Sequence, residues 1–308
     1  MMPSEQIGYG KAFLILALVI GVGVGAGTVY GVTTLLAPAQ DQNVNTFSTT
    51  INIKGSDTLL ELMRAWSENY TAQNPGVTLT VAGGGSGTGI AALINKQIDI
   101  ATASRPAKAS EIADAAAVGV TLVQHKVVID GIAIITNPAK PISNITFDLL
   151  RGIYNGTITD WSQVNSSYSG LIKPYGRQST SGTYAYFQEH VMKNDDYAPS
   201  VQQLAGNSDI IYAVAHDANG IGYVGAAYAE AASGIHIVAV NDPNDPASYY
   251  LPTINNIRTF TYPIARFLYL YTDGYPTGYI QAFIAWCQSP QGQAIALQKG
   301  YVPLYELP

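Results

Sequence analysis

Two rhythms of apolar residues alternate along most of the chain. In "TINIKGS" they recur at every second position, which predicts a strand. In "DTLLELMRAWSENYTAQ" they recur at helical spacing, so that Leu59, Leu62, Met63, Trp66 and Tyr70 share one face, and "NPG" ends the helix. The alternation continues with strand "VTLTVAG", helix "TGIAALINK", strand "IDIATAS" and helix "KASEIADAAAVG". "VTLVQHKVVIDGIAIITNP" is a long extended apolar stretch. Beyond it come "SNITFDLLRGIYNGTITDWSQV" (a helix, then turns), strand-like "IKPYGR", a helix opening at "SGTYAYFQEHVMK", and strand "IHIVAVN". Residues 241–258, rich in Asn, Asp and Pro, read as a loop. "YPIARFLYLYTD" is a strong strand, and "YIQAFIAWCQSPQGQAIALQKGYVPL" a helix, a break and a final helix. Strand and helix in alternation predict an α/β fold.

The N-terminal pattern is different. From Ala12 to Ala37 there is no charge. At about 1.5 Å per residue this is long enough to cross a bilayer of about 30 Å. Lys11 precedes it and Asp41 is the first charge after it, so the positive-inside rule puts the rest of the protein outside. The reading is an N-terminal membrane anchor over 1–37 followed by a polar linker over 38–50. The alternative is a cleaved signal peptide, for which "APAQ" offers an Ala-x-Ala site.

Composition narrows the chemistry. Of 308 residues only 12 % are charged and the net charge is −6, so no basic footprint for nucleic acid exists. The single cysteine, Cys287, permits no intrachain disulfide and reads as a core residue. No metal-ligand spacing links the four histidines, so neither metal nor cofactor is expected. Asn69, Asn144, Asn155 and Asn165 stand in glycosylation sequons, which suit an extracytoplasmic surface.

Three turns share a grammar of Gly and hydroxyl residues just before a helix: Gly55-Ser56-Asp57-Thr58, Gly85-Ser86-Gly87-Thr88-Gly89 and Ser181-Gly182-Thr183. Such turns cap helices. They also offer free N–H groups and a partial positive charge to an anion. Arg105 follows Ser104 and Arg177 precedes Ser181, and guanidinium groups suit oxyanions. No lysine follows the glycines as a nucleotide P-loop requires, and around Ser86 the last position of a hydrolase elbow is Thr88 instead of glycine. Nothing in the sequence asks for catalysis.

"GSDTLLELMRAW", "GGGSGTGIAALINKQIDIATASRP", "LLRGIYNGTITDW", "RQSTSGTYAYF", "GIGYVGAAYA" and "SPQGQAIALQKGYVPL" together resemble, in order and spacing, the substrate-binding protein of phosphate ABC transporters. The resemblance spans roughly residues 51–308. It implies a type II periplasmic-binding-protein fold, with lobe 1 at 50–128 plus 263–308 and lobe 2 at 129–262, closing on one phosphate as a monomeric receptor for an ABC permease. Matched motif to motif, it places Asp57, Thr58, Ser86, Gly87, Ser104, Arg105, Arg177, Ser181, Gly182 and Thr183 at the anion. Two departures stand out. Arg105 occupies a position that is often aspartate in the family, and Ser179 another that is often acidic. Phosphate near neutral pH carries a proton and needs an acceptor, whereas sulfate has no proton to donate. Asp57, the only carboxylate in these turns, is expected to accept that proton; its plain alternative is the N-cap of a helix at 58–73. Asp99 and Asp130, the latter near the expected hinge, read as structural. The same fold could instead take sulfate, molybdate or tungstate, or serve as a cell-surface structural component.

Overall fold

The computed structural model describes residues 48–307, so the apolar segment and most of the expected linker lie outside the described residues. Among the described residues no helix is long and apolar enough to cross a membrane. The first third of this region is β1 (Thr49–Gly55), α1 (Leu60–Gln73), β2 (Val77–Ala82), α2 (Ser86–Ile94), β3 (Ile100–Ala103) and α3 (Ala109–Ala117). Then follow β4 (Leu122–Thr136), β5 (Asn144–Ile145), α4 (Phe147–Asn155), β6 (Lys173–Arg177), α5 (Gly182–His190), β7 (Gln202–Leu204) and α6 (Asn207–His216). The chain ends with β8 (Gly220–Gly225), α7 (Ala226–Glu230), β9 (His236–Asp242), β10 (Asp245–Tyr250), α8 (Ile254–Arg258), β11 (Ala265–Asp273), α9 (Gly278–Cys287) and α10 (Pro290–Gln298). The expected α/β alternation is present.

The strands run in the order β2-β1-β3-β11-β4-β8-β6-β7, with β9 pairing β4, β5 and β10. Parallel pairs at the two ends (β1 with β2 and β3, β6 with β7 and β8) flank an antiparallel centre. The long apolar stretch of the sequence is that centre. Residues Leu122–Gly131 of β4 pair with β11, and Ile132–Thr136 pair with β8. One continuous strand therefore belongs to both halves of the sheet.

Side-chain burial follows the same division. One core cluster draws on residues 129–265 plus Val302. Another joins residues 51–128 to Ala227 and 268–301. In the latter, α1 buries Leu62, Met63, Trp66 and Tyr70, the face read from the sequence. Each such side chain contributes about 1.5–3 kcal/mol of burial. Trp66 buries its ring without stranding its N–H, which donates to the carbonyl of Gly292 at 2.8 Å. Cys287 is fully buried in this cluster.

One stretch differs from expectation. Residues 241–258 hold the end of β9, all of β10 and α8, rather than loop alone. β10 pairs only with β9 and is exposed along much of its length. An edge strand tolerates Pro246 and polar side chains, and these made the segment read as a loop.

Candidate functional site

Two glycine turns meet where the halves of the sheet face each other. The N–H of Gly87, in the first turn of α2, donates to the carbonyl of Thr180 at 3.0 Å. Gly85, just before α2, has φ +95 and lies so close to Thr180 that a Cβ would stand 2.5 Å from its carbonyl oxygen. Glycine is required there by both conformation and space. At the start of α5, a Cβ on Gly182 would stand 2.3 Å from the Ser86 hydroxyl and 2.6 Å from that of Ser104. The Ser86 hydroxyl accepts from the Ser104 N–H at 3.0 Å. The Thr58 and Thr183 hydroxyls lie 3.0 Å apart.

Six of the expected residues thus converge: Thr58, Ser86, Gly87, Ser104, Gly182 and Thr183. They come from four separate segments and, with the glycines aside, are all buried. The N-termini of α2 and α5 both reach this point. A small tetrahedral anion would meet hydroxyls and free helix-terminal N–H groups there.

The other expected residues sit around this cluster. The Ser181 hydroxyl accepts from the N–H groups of Thr183 and Tyr184 at 3.1 and 3.4 Å, so it caps α5, the plain reading of such turns. Arg177 is fully buried; it donates to Asp57 at 2.7 Å, the carbonyl of Ala205 at 2.8 Å and Asn207 at 3.3 Å. Burial lowers its pKa, and the Asp57 carboxylate opposes that shift. Asp57 accepts from Arg177 through one oxygen and from the Gly84 N–H at 2.9 Å through the other. It does not cap α1 either, since the N-cap residue is Leu59, without a side-chain cap. Asp57 therefore ties the first two turns to β6. Arg105 is held bidentately by Glu111 at 2.7 and 2.8 Å. It lines the outer cleft, a cavity of about 670 Å³ that also reaches Tyr186, Lys108, His190 and Arg266.

Sequence reasoning missed Arg266 and set Asp130 aside. They stand opposite each other on β11 and β4. Arg266 Nη2 donates to Asp130 at 3.0 Å and to the Thr183 hydroxyl at 2.9 Å. Arg266 Nη1 is buried without a protein partner. Burial raises the pKa of Asp130, while Arg266 and the backbone N–H groups of Gly131 and Ala226 pull it back. The available signal was one of context: "VVIDGIAII" and "PIARFLYLY" each embed a single charge in an apolar strand. Buried charges of opposite sign need partners, and these two can supply each other.

Three arginines thus surround the cluster, each with its own carboxylate: Arg105 with Glu111, Arg177 with Asp57, Arg266 with Asp130. The charges cancel pairwise. An anion at this point would meet oriented donors rather than net positive charge, which suits a chain of net charge −6. Among the described residues no three His, Cys, Asp or Glu side chains group as metal ligands.

Comparison with known proteins follows the same lines. Residues 37–291 match the family model of the PBP superfamily domain. The phosphate-binding protein PstS of Pseudomonas aeruginosa is 29 % identical over 301 residues, covering 92 % of each chain. That of Staphylococcus saprophyticus is 30 % identical over 222 residues, 71 % of this chain and 68 % of its own. Among solved structures, a Clostridium perfringens protein with bound phosphate, described as a phosphate ABC transporter substrate-binding protein, superimposes with a TM-score of 0.73. It is 25 % identical, with 83 % of this chain and 100 % of that one covered. An ABC-type phosphate transport receptor from Vibrio cholerae gives a TM-score of 0.66 at 28 % identity, with 82 % and 99 % covered.

Proposed function

The chain belongs to the phosphate-binding protein family of the PBP superfamily, and from that premise we propose that it is the extracytoplasmic receptor of a phosphate ABC transporter. It captures inorganic phosphate and hands it to a membrane permease, without covalent chemistry. The observation that carries this reading is the convergence of Thr58, Ser86, Ser104, Gly182 and Thr183 on one buried point between two core clusters.

The two halves act as the lobes expected from the sequence, 50–128 plus 263–308 and 129–262. Phosphate bridges half-sites on both and shifts the equilibrium toward closure, because only the closed form satisfies it from both sides. The contacts across the seam, Gly87 to Thr180 and Thr58 to Thr183, belong to that closed form. The apolar segment 12–37 anchors the receptor beside its permease and raises its local concentration there. The receptor acts as a monomer of type II topology. Asn69, Asn144 and Asn165 are exposed and open to glycosylation, while Asn155 is half-buried with its amide donating to Asp195 at 2.9 Å.

Calorimetric titration of the full-length protein in detergent, with phosphate, sulfate and molybdate, tests this. One phosphate bound per chain, with sulfate and molybdate unable to displace it, is expected. Tighter binding of molybdate or sulfate would move the function to another oxyanion. No binding of any of the three would favour a structural role at the cell surface.

A further inference from the structure

We infer that Tyr228 and Tyr301 are positioning residues for the anion: their hydroxyls hold the two peptide planes of Thr58, so that its N–H and its side chain are presented to phosphate. The inference rests on the phosphate reading and adds to it two residues that lie outside the glycine turns.

Thr58 stands between two peptide planes, and a tyrosine grips the carbonyl of each. The Tyr228 hydroxyl donates to the Asp57 carbonyl at 2.8 Å. The Tyr301 hydroxyl donates to the carbonyl of Thr58 itself. Two soft dihedrals per residue separate rigid planes, so holding both planes holds the backbone of Thr58 and the direction of its side chain. That side chain sets its hydroxyl 3.0 Å from the Thr183 hydroxyl.

The first plane has a further consequence. Among the described residues every peptide bond is trans, and in a trans peptide the carbonyl and the following N–H point in opposite directions. Fixing the Asp57 carbonyl on the Tyr228 side therefore turns the Thr58 N–H to the other side. That N–H has no hydrogen-bond partner among the described residues, although Thr58 is only 1 % exposed. The next two N–H groups are engaged: Leu59 donates to the Ser56 carbonyl at 3.2 Å and Leu60 to the Asp57 carbonyl at 3.3 Å. An unpaired amide in so buried a residue is rare, and beside the hydroxyl cluster it is a donor kept for a ligand oxygen.

The two grips come from elements distant in sequence. Tyr228 lies on α7, behind β8, and Tyr301 follows α10, buried in the core cluster that also holds Leu59 and Trp66. Burial pushes the Tyr228 hydroxyl up to about 12 and that of Tyr301 well above the usual tyrosine value. Both therefore stay protonated donors at neutral pH.

The experiment titrates phosphate calorimetrically into full-length wild-type, Tyr228→Phe, Tyr301→Phe and Tyr305→Phe proteins in detergent, with a thermal melt of each. Tyr305 is the control, since its hydroxyl donates to the Gln288 carbonyl at 2.8 Å, a bond of the same kind outside the turns. A loosened Thr58 backbone must be ordered anew at binding, which corresponds to roughly 5- to 30-fold in affinity. Tyr228→Phe and Tyr301→Phe are expected to weaken phosphate by that factor, and Tyr305→Phe to bind as wild type does. The Thr58 amide NMR signal is expected to move on saturation of the wild type with phosphate, and to move less in Tyr228→Phe. Wild-type affinity in either folded variant, or a Thr58 signal that phosphate leaves unmoved, overturns the inference while the phosphate reading stands. Equal weakening in Tyr305→Phe overturns it as well, by showing that any lost tyrosine bond suffices. Wild-type protein that binds no phosphate overturns the phosphate reading and this inference with it. Should one variant not fold, the other and the wild-type amide signal carry the test.

Discussion

Arg177 and Asp57 form the tightest link between the first glycine turns and β6, at 2.7 Å with Arg177 fully buried. Removing one member of a buried pair strands the other charge, at a cost of about 3–5 kcal/mol. Asp57→Ala is therefore expected to lose stability on that scale in urea denaturation. A loss below about 1 kcal/mol would mean that water, not Asp57, balances Arg177. On the surface, Arg151 and Asn155 hydrogen-bond Asp195 and hold its carboxyl down at about 2. A depressed carboxylate contributes stability above its unfolded pKa of about 3.9 and loses it as pH falls through about 2. Asp195→Asn should lower Tm by a small, pH-independent amount above about pH 5 and flatten its drop between about pH 4 and 2. Superimposable acid limbs would contradict this. The effect is modest because the pair is partly exposed to solvent.

At the scale of elements, helix starts decide the site. α2 and α5 both begin in glycine turns, and their approach is limited by the Thr180 backbone at Gly85 and by the Ser86 and Ser104 hydroxyls at Gly182. Gly182→Ala places a methyl 2.3 Å from the Ser86 hydroxyl. Overpacking of this kind costs about 1–3 kcal/mol. It falls on the closed arrangement, so phosphate affinity should drop by that amount in titration, with urea stability of the phosphate-free protein nearly unchanged. Equal affinity in the variant would place the anion away from this seam. The three turns were legible in the sequence because Gly, Ser and Thr before an apolar helical run have a local meaning. The partition between capping and ligand contact was not. Ser181 caps α5, whereas Ser86 reaches back to Ser104, and only the packing of distant segments separates those roles. Asp130 and Arg266 were hidden for the same reason. Each is an isolated charge in a buried strand, and their pairing is a matter of register between β4 and a β11 far away in sequence. β10 escaped notice, although β9 did not, because an exposed edge strand needs no apolar alternation.

Over the whole molecule, β4 ties the two halves together by pairing with β11 at one end and β8 at the other. A strand shared in this way resists separation of the halves, and its partners change between Gly131 and Ile132. The alternation of strand and helix made the α/β architecture readable, since each element announces itself within a short window. The sheet order did not follow from any window, because β11 inserts between β3 and β4 from the far end of the chain. Low charge and a net of −6 gave no hint of an anion site; pairwise neutral arginines explain how one can exist in such a chain. The most direct measurement is the position of bound arsenate, a protonated analogue of phosphate, located by anomalous scattering in crystals of the complex. A single peak within hydrogen-bond reach of Ser86, Ser104 and Thr183 is predicted. A peak in the outer cleft beside Lys108 and His190, with the inner cluster unoccupied, would contradict the account.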